Sequence, residues 1–276
     1  TARARSNKAV DNLFKTVPLL DHIKSAGGVE VINGGQQIQR SVIFADHSNI
    51  TQLATGYEPI SASVSDVMRS PLYEFCDFVA PIVITKKEEL SNRGENAVIS
   101  IADARMKSVM GMLKREWELQ AVRGTSTTLT EMESLNGAGT ATGFLEEGAF
   151  GTGQTNTVGG LSKATFASSN WNNQSFNVSG DFASNGLDGM TELMIQCQIY
   201  SQEAAVDLIL ASPTSYRLYK SFLQAQERYT PKETVLDGGK LALAFNGALM
   251  YVENNLGNAI GGVTPSMYFL NSKSMK

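Results

Sequence analysis

The chain has 276 residues, of which 42% are hydrophobic and 18% are charged, a composition typical of a folded protein with one large domain or two lobes. A net charge of −4 argues against a dedicated nucleic-acid-binding protein but is compatible with a basic inner face. Cys76 and Cys197 lie far apart in sequence and are predicted to be buried free thiols, and neither a membrane-spanning segment nor a secretory signal is expected.

Residues 1–28 begin with a basic, polar stretch and continue as a short amphipathic pattern. Pro18 is expected to break or kink this pattern, and Gly27-Gly28 ends it. The segment predicts an arm that needs another surface to lie on.

From residue 29 the pattern changes to the period of two that is typical of strands. Residues 36–44 alternate in part between polar and apolar side chains, after Gly34-Gly35, and residues 61–64 continue extended and polar. Ten strand residues extend about 33 Å, so paired strands here predict a long ribbon with two polar faces. Because an isolated two-stranded ribbon is marginal in water, a neighbouring subunit is expected to cover it.

Residues 72–84 are rich in aromatic and β-branched side chains and predict a buried strand pair, or one strand bent at Pro81. The charged run 86–94 that follows is expected to be a solvated connector.

Residues 96–123 predict one long helix of about 40 Å. Asn96 is the expected N-cap, and Gly124 stands where a glycine ends a helix. One apolar stripe recurs at steps of three and four: Val98, Ala102, Met106, Val109, Leu113, Trp117 and Ala121. A stripe this long and narrow predicts a spine against which a sheet lies.

After Gly124 the composition shifts to Gly, Thr, Ser and Asn, and a second lobe is predicted, α+β or a small α/β sandwich. Helices are predicted at 186–203 and from Ser212-Pro213 onward, with Ser as the N-cap and Pro at the first position. Strands are predicted at 206–210, 241–245, 248–252 and 267–270, and the second helix is expected to bury Tyr216, Tyr219, Phe222 and Leu223.

No catalytic constellation is found, and no cofactor or metal is expected. Residues 159–163 have the composition of a phosphate-binding loop without its spacing. The two histidines, His22 and His47, lack a second ligand at zinc-site spacing. The acidic pairs Glu88-Glu89 and Glu146-Glu147 point their carboxylates apart, so they give no support to a paired-acid mechanism. Together with the ribbon, the arm and the long helix, this absence predicts a structural protein rather than an enzyme.

The order of parts resembles the major capsid (coat) protein of tailed double-stranded DNA bacteriophages. Short patterns carry the resemblance: Gly34-Gly35 before the ribbon, Glu89 with Asn92-Arg93-Gly94 before the long helix, and Gly159-Gly160-Leu161 after it. The resemblance implies an α+β fold with an N-terminal arm (1–28), an E-loop β-hairpin (29–70), a P-domain (71–123) with a spine helix (96–123), an A-domain (124–239), and C-terminal strands (240–276) that complete the P- and A-domains.

The same resemblance implies pentamers and hexamers that form an icosahedral head around double-stranded DNA held by non-specific contact. It implies portal, scaffold or decoration proteins as partners, no membrane, assembly in the host cytoplasm and a final place in the virion. Candidate subunit-interface residues are Arg40, Phe44, Tyr57, Glu58, Glu88, Glu89 and Arg93. Candidate interior basic residues, for which a solvated face is the favoured alternative, are Arg3, Arg5, Lys8 and Arg115.

The ribbon departs from some members of that group, which crosslink an E-loop lysine to an asparagine. Residues 34–70 contain Arg40 and Arg69 but no lysine, so a non-covalent shell is predicted, with a cementing protein as an option. Two alternatives stay open: an encapsulin-like compartment shell, and an enzyme with an α/β nucleotide-binding lobe over 186–252. The enzyme would need a glycine-rich turn between strand and helix, which Ser212-Pro213 does not offer.

Overall fold

The computed structural model of the chain describes residues 18–43, 50, 52–60, 64, 67–91, 101–124, 132–136, 143–145, 154–165, 171–178, 181–200, 206–225, 234–236, 240–256 and 265–275. The helices among them are α1 (Pro18–Ser25), α2 (Lys86–Ser91), α3 (Ile101–Arg123), α4 (Phe182–Tyr200) and α5 (Pro213–Ala225), with a short 3-10 helix at Ser272–Ser274. The strands are β1 (Ile38–Gln39), β2 (Val42–Ile43), β3 (Met68–Arg69), β4 (Leu72–Tyr73), β5 (Thr157–Val158), β6 (Leu161–Ser162), β7 (Leu208–Ala211), β8 (Thr234–Leu236), β9 (Lys240–Phe245), β10 (Ala248–Val252) and β11 (Met267–Leu270). This mixed content confirms the predicted α+β class.

A five-stranded sheet in the order β11-β7-β10-β9-β8 forms the centre of the molecule. Strands β7 and β10 run parallel, and the other neighbours are antiparallel. Every residue of β7 is fully buried, which explains why its sequence is a continuous apolar run rather than an alternating one. Leu208 and Leu210 pack on the side of α1 and the end of α3, while Ile209 and Ala211 pack among residues of α4 and α5.

Helix α5 begins as its sequence predicts. Pro213 is its first residue, and the backbone N–H of Ser215 donates to Ser212 Oγ at 3.3 Å. Ser212 Oγ also accepts the backbone N–H of Ser266 at 3.3 Å, so one hydroxyl caps the helix and joins it to the strand β11 region. Tyr216 and Tyr219 are buried as predicted, whereas Phe222 and Leu223 are only half-buried.

Replacing Ser212 with alanine is expected to lower the free energy of unfolding by about 1–2 kcal/mol, because the cap and a second hydrogen bond at a buried position are lost together. Urea denaturation measures the loss. Ser221→Ala, on the exposed face of the same helix, is the matched control and is expected to stay within about 0.5 kcal/mol of wild type. Equal effects of the two substitutions would contradict the capping role.

Helix α3 buries a different face from the one predicted. Met106 and Trp117 of the predicted stripe are exposed, and the buried residues of the helix are Glu118 and Val122 near its C-terminal end. Among the described residues, only this end of α3 enters the core, and no described strand packs along the stripe. The expected N-cap, Asn96, lies outside the described residues.

Gly124 follows α3 as predicted, but without the left-handed backbone that usually selects glycine at a helix end. A Cβ atom here would lie 2.9 Å from the Gln120 carbonyl oxygen and 3.1 Å from Ser134 Cβ. Close packing of the chain that returns after the helix is the reason for this glycine.

Helix α1 begins at Pro18, since a proline is well accommodated in the first turn. The part of the predicted pattern before Pro18, where the break or kink was expected, lies outside the described residues. Leu19 is fully buried in the core cluster that also contains Val122 and Tyr268. The expectation that this segment needs another surface is wrong for α1, which rests on its own chain. Residues 1–17 lie outside the described ranges.

Two pairs of short antiparallel strands form the base of a ribbon. Ile38 is opposite Tyr73 in β1 and β4, and Ile43 is opposite Met68 in β2 and β3. The predicted polar faces are wrong, because the ribbon exposes Ile43, Met68 and further apolar side chains. The predicted buried strand pair at 72–84 is wrong as well, since only Leu72–Tyr73 is a strand and most of the remainder is exposed.

The Gly159-Gly160 turn closes the hairpin of β5 and β6, and both residues have positive φ angles, 54° and 77°. Glycines in this conformation are typical of two-residue hairpin turns. The Gly159 carbonyl accepts the backbone N–H of Leu72 at 3.0 Å, so this hairpin supports the base of the ribbon. A Cβ atom at Gly159 would lie 2.5 Å from Pro71 Cβ, which excludes larger residues there.

Candidate functional site

Exposed apolar side chains concentrate on the ribbon and on the segment that follows it. Among the described residues, eighteen of the twenty-five large hydrophobic side chains that are exposed lie between Val29 and Leu90. Most of the others, Met106, Met110, Met112 and Trp117, lie on α3. Large exposed apolar surfaces are rare on soluble monomers, and they indicate a contact with another molecule.

A turn at 54–58 in the outer part of the ribbon is held by its own hydrogen bonds. The carboxylate of Glu58 accepts the backbone N–H groups of Ala54 and Thr55, at 3.0 and 3.3 Å, and the Thr55 hydroxyl at 3.1 Å. The neighbouring Tyr57 is 97% exposed. The turn therefore presents a large aromatic side chain on a backbone that is already ordered.

The charged connector is more organised than a solvated run. Thr85 and Glu88 form a capping box at the start of α2: the Thr85 N–H and hydroxyl donate to Glu88 Oε2 at 3.1 and 2.8 Å, and the Glu88 N–H donates to Thr85 Oγ1. These hydrogen bonds from Thr85, aided by Arg105, lower the pKa of Glu88. Arg105 of α3 binds Glu88 Oε1 at 2.6 Å and also donates to the Val83 carbonyl, so α2 and the apolar segment before it are tied to α3.

The remaining predicted interface residues lie apart. Arg40 forms an ion pair with Glu30 in the ribbon, and Glu89 forms an ion pair with Lys86 at 3.0 Å within α2. Arg115 is half-buried on α3, where its Nε donates to the Gly111 carbonyl at 3.3 Å. The predicted residues outside the described ranges are Arg3, Arg5, Lys8, Phe44 and Arg93.

Lys163, the lysine of the rejected phosphate-loop pattern, is buried with 1% of its surface exposed. Its ammonium group donates to the Phe144 carbonyl at 2.7 Å and to Asn173 Oδ1 at 2.8 Å. Gln154, also buried, accepts the Asn173 backbone N–H at 3.0 Å. The lysine thus holds three chain segments together, and its ammonium faces protein oxygens instead of a ligand cleft.

His22, Asp207 and Ser272 meet, but not as a catalytic triad. Asp207 lies between the other two: it accepts the Ser272 backbone N–H at 2.8 Å and the Ser272 hydroxyl, and His22 Nε2 lies 3.5 Å from its Oδ2. A nucleophilic serine would need its hydroxyl on the histidine instead. Although burial raises the pKa of Asp207, the hydrogen bonds from Ser272 and the nearby His22 side chain hold this pKa below its ordinary value.

Glu118 and Glu253 form a second cluster that sequence reasoning missed, because α3 and the end of β10 are far apart along the chain. Both are buried, with 1% and 3% of their surfaces exposed. Burial and the neighbouring Glu253 carboxyl raise the pKa of Glu118 to about 10, so Glu118 is protonated at neutral pH. Because both side chains are almost completely buried, the pair is not an exposed paired-acid site.

A cavity of about 520 Å³ lies beside α4 and is lined mainly by apolar and amide side chains, among them Phe176, Phe182 and Leu193. Among the described residues that line it there is no Asp, Glu, Lys, Arg or His. Burial raises the pKa of its thiol, Cys197, so this group is not a reactive thiolate. Cys197 and Cys76 are not joined in a disulfide, as predicted, but they are half-buried rather than buried.

Across the described ranges, no helix combines the length and apolar content that crossing a membrane requires. Within those same ranges, no three side chains among His, Cys, Asp and Glu come together in a way that could hold a metal ion.

No protein-family model matches the sequence, and no curated protein matches it either. The structure is similar to a chain of a solved structure, the Cyanophage A-1(L) capsid asymmetric unit, with a TM-score of 0.62. The two sequences are 14% identical, and the match covers 99% of this chain and 75% of that chain. At this identity the likeness concerns the fold, and it agrees with the resemblance that the order of parts carries. The chain therefore has the fold of a phage capsid protein.

Proposed function

We propose that the chain is the major capsid protein of a tailed phage, a structural subunit that assembles into the pentamers and hexamers of an icosahedral head around double-stranded DNA. The observation that carries the proposal is the apolar surface of the ribbon and of 75–84, exposed on a chain with a capsid-protein fold. Each Ile or Tyr side chain that a neighbour covers fully would contribute about 1.5–3 kcal/mol. Repeated around a closed shell, such contacts suffice to drive assembly.

In this proposal the ribbon is the E-loop (29–70), which lies across the P-domain (71–123) of the next subunit. The arm is 1–28, the spine helix is 96–123, the A-domain is 124–239, and 240–276 completes the P- and A-domains. The exposed methionines and Trp117 of α3 support this assignment, because they offer an apolar surface on the same chain for a neighbour's ribbon.

Among the interface candidates, Tyr57 and Glu58 have the strongest support, since Glu58 orders the turn from which Tyr57 projects. Arg40, Glu88 and Glu89 already have partners within the chain, so we assign them the role of shaping the interface rather than bonding across it. Phe44 and Arg93 remain interface proposals from the sequence. Arg3, Arg5, Lys8 and Arg115 are proposed to face the DNA through non-specific phosphate contacts.

The shell is proposed to be held by non-covalent contacts, because the ribbon carries no lysine for an isopeptide bond. Portal, scaffold or decoration proteins would complete the head, which would assemble in the host cytoplasm and become part of the virion. We propose no enzymatic activity and no cofactor for the chain.

Negative-stain electron microscopy of the concentrated protein tests the proposal. Uniform hollow shells, or rings of five and six subunits, are expected, and boiling in SDS is expected to return them to single chains. Nuclease-protected DNA inside shells purified from infected cells would support a phage head, whereas an enclosed enzyme would support a compartment shell. A monodisperse monomer or dimer that does not assemble under crowding or with scaffold would contradict the proposal and favour the enzyme alternative.

A further inference from the structure

The buried carboxyl pair lies where three elements meet. Glu118 is on α3, and Glu253 directly follows β10, where its backbone N–H donates to the Ala211 carbonyl at 2.9 Å. Glu118 Oε1 accepts the backbone N–H of Leu19, the second residue of α1, at 3.3 Å. Because Pro18 has no N–H, Glu118 satisfies the first free donor of α1 from a different helix.

The two carboxyl groups each have one oxygen in use and one without a further hydrogen-bond partner. Glu253 Oε1 accepts the Asn255 N–H at 2.9 Å, while Oε2 of both glutamates is buried and unpartnered among the described residues. Within those residues, no lysine, arginine or histidine forms an ion pair with either group. Two ionised carboxylates without a counter-ion are strongly disfavoured at a buried position. One proton between the two unpartnered oxygens removes one negative charge and gives both oxygens a hydrogen-bond partner.

We propose that Glu118 carries a proton, which it donates to the neighbouring Glu253 carboxyl, and that this proton acts as a lock that holds helix α1 onto the end of α3. The lock holds at acidic and neutral pH and opens as the pH rises, because loss of the proton leaves two buried negative charges beside the start of α1. It is separate from the proposed assembly surface, so its failure would leave the capsid proposal untouched.

The other charged groups of α1 either disfavour ionisation of Glu118 as well or contact residues other than the two glutamates. Asp21, on α1 itself, adds a negative charge that disfavours ionisation of Glu118. His22 of α1 faces Asp207, which precedes β7, and Tyr251 of β10, and no described ion pair joins it to Glu118 or Glu253. The pair Glu118 and Glu253 is therefore the group whose proton decides whether α1 stays docked.

The sign of the pH effect follows from linkage. The docked state keeps a proton that the open state, with an ordinary carboxyl pKa, releases. The docking stability is fully present below the ordinary carboxyl range and is lost progressively as the pH rises toward about 10. One proton lost per opening corresponds to about a tenfold increase in the opening equilibrium for each pH unit.

Hydrogen exchange of the α1 backbone amides, followed by mass spectrometry from pH 6 to 8.5, tests the lock. The decisive quantity is the exchange rate of wild type divided by that of Glu118→Gln at each pH, because the ratio cancels the intrinsic pH dependence of exchange. The glutamine amide donates to Glu253 and its oxygen accepts from Leu19, as the protonated acid does. The ratio is expected to rise about tenfold per pH unit.

Two further variants keep the test decisive. Glu253→Gln supplies the same neutral donor from the other side and is expected to behave like Glu118→Gln. Glu116→Gln changes an exposed carboxylate of the same helix, bonded to Gln120 at 3.2 Å, and is expected to behave like wild type.

A ratio that stays constant with pH would overturn the proposal, as would loss of the pH dependence in Glu116→Gln. So would an equal slope for the amides of β7, which would mean that the proton stabilises the whole core rather than the docking of α1. Failure of both glutamine variants to fold would overturn it too, since each provides the neutral hydrogen-bond donor for which the proton is required.

Discussion

Replacing Ile43 with aspartate is expected to abolish assembly while changing the free energy of unfolding of the single chain by about 1 kcal/mol at most. Ile43 is 66% exposed in the chain, so its side chain contributes little to folding. If a neighbouring subunit covers the ribbon, the aspartate becomes an unpaired charge at a buried contact, which costs several kcal/mol at every copy of that contact. The penalty is repeated around the shell, and assembly should fail at any accessible concentration.

Sedimentation velocity and electron microscopy measure assembly, and urea denaturation measures folding. Ile43→Val keeps the apolar contact and the strand preference, and it is expected to form shells like wild type. Shells formed by Ile43→Asp at the wild-type concentration would show that this face of the ribbon is not an interface.

Replacing Lys163 with methionine is expected to lower the free energy of unfolding by about 2–4 kcal/mol. Methionine keeps the length of the apolar stem but removes the ammonium, which leaves the Phe144 carbonyl and Asn173 Oδ1 without the donor at 2.7 and 2.8 Å. A buried acceptor that loses a charged donor lowers the free energy of unfolding substantially, because water cannot replace the lost hydrogen bond.

Lys24→Met, an exposed lysine on α1, is the matched control and is expected to stay within about 0.5 kcal/mol of wild type in the same urea titration. A Lys163→Met protein as stable as wild type would mean that the cost of burying the ammonium cancels the value of its hydrogen bonds. That result would contradict the conclusion that Lys163 stabilises the contact between the segments around Phe144 and Asn173.

Local signals predicted the sheet and the start of α5 well. The apolar run of β7, the strand at Met267–Leu270 and the Ser212-Pro213 helix start follow from short-range rules of burial, alternation and capping. The helix at 186–203 was predicted in the right place, although α4 covers Phe182–Tyr200, because element ends depend on contacts beyond the local pattern.

The predictions of burial were wrong for apolar surfaces that the single chain leaves uncovered. The stripe of α3 and the apolar run 72–84 both predicted burial, yet Met106, Trp117 and Phe78 are exposed. Hydrophobic periodicity predicts that one face of a helix or strand is buried, but it does not indicate whether the same chain or another copy of it buries that face. The exposure of these side chains is itself the strongest argument for assembly.

The sequence by itself determined the α+β class, the ribbon followed by a long helix, the core strands and the absence of lysine from the ribbon. These features depend on the types and spacing of neighbouring residues. Only the tertiary structure decided that Lys163 is buried against Asn173 and that Glu118 meets Glu253 beneath the first turn of α1. Burial and proximity between distant parts of the chain determine the protonation and the hydrogen-bond partners of these groups, and no local pattern contains that information.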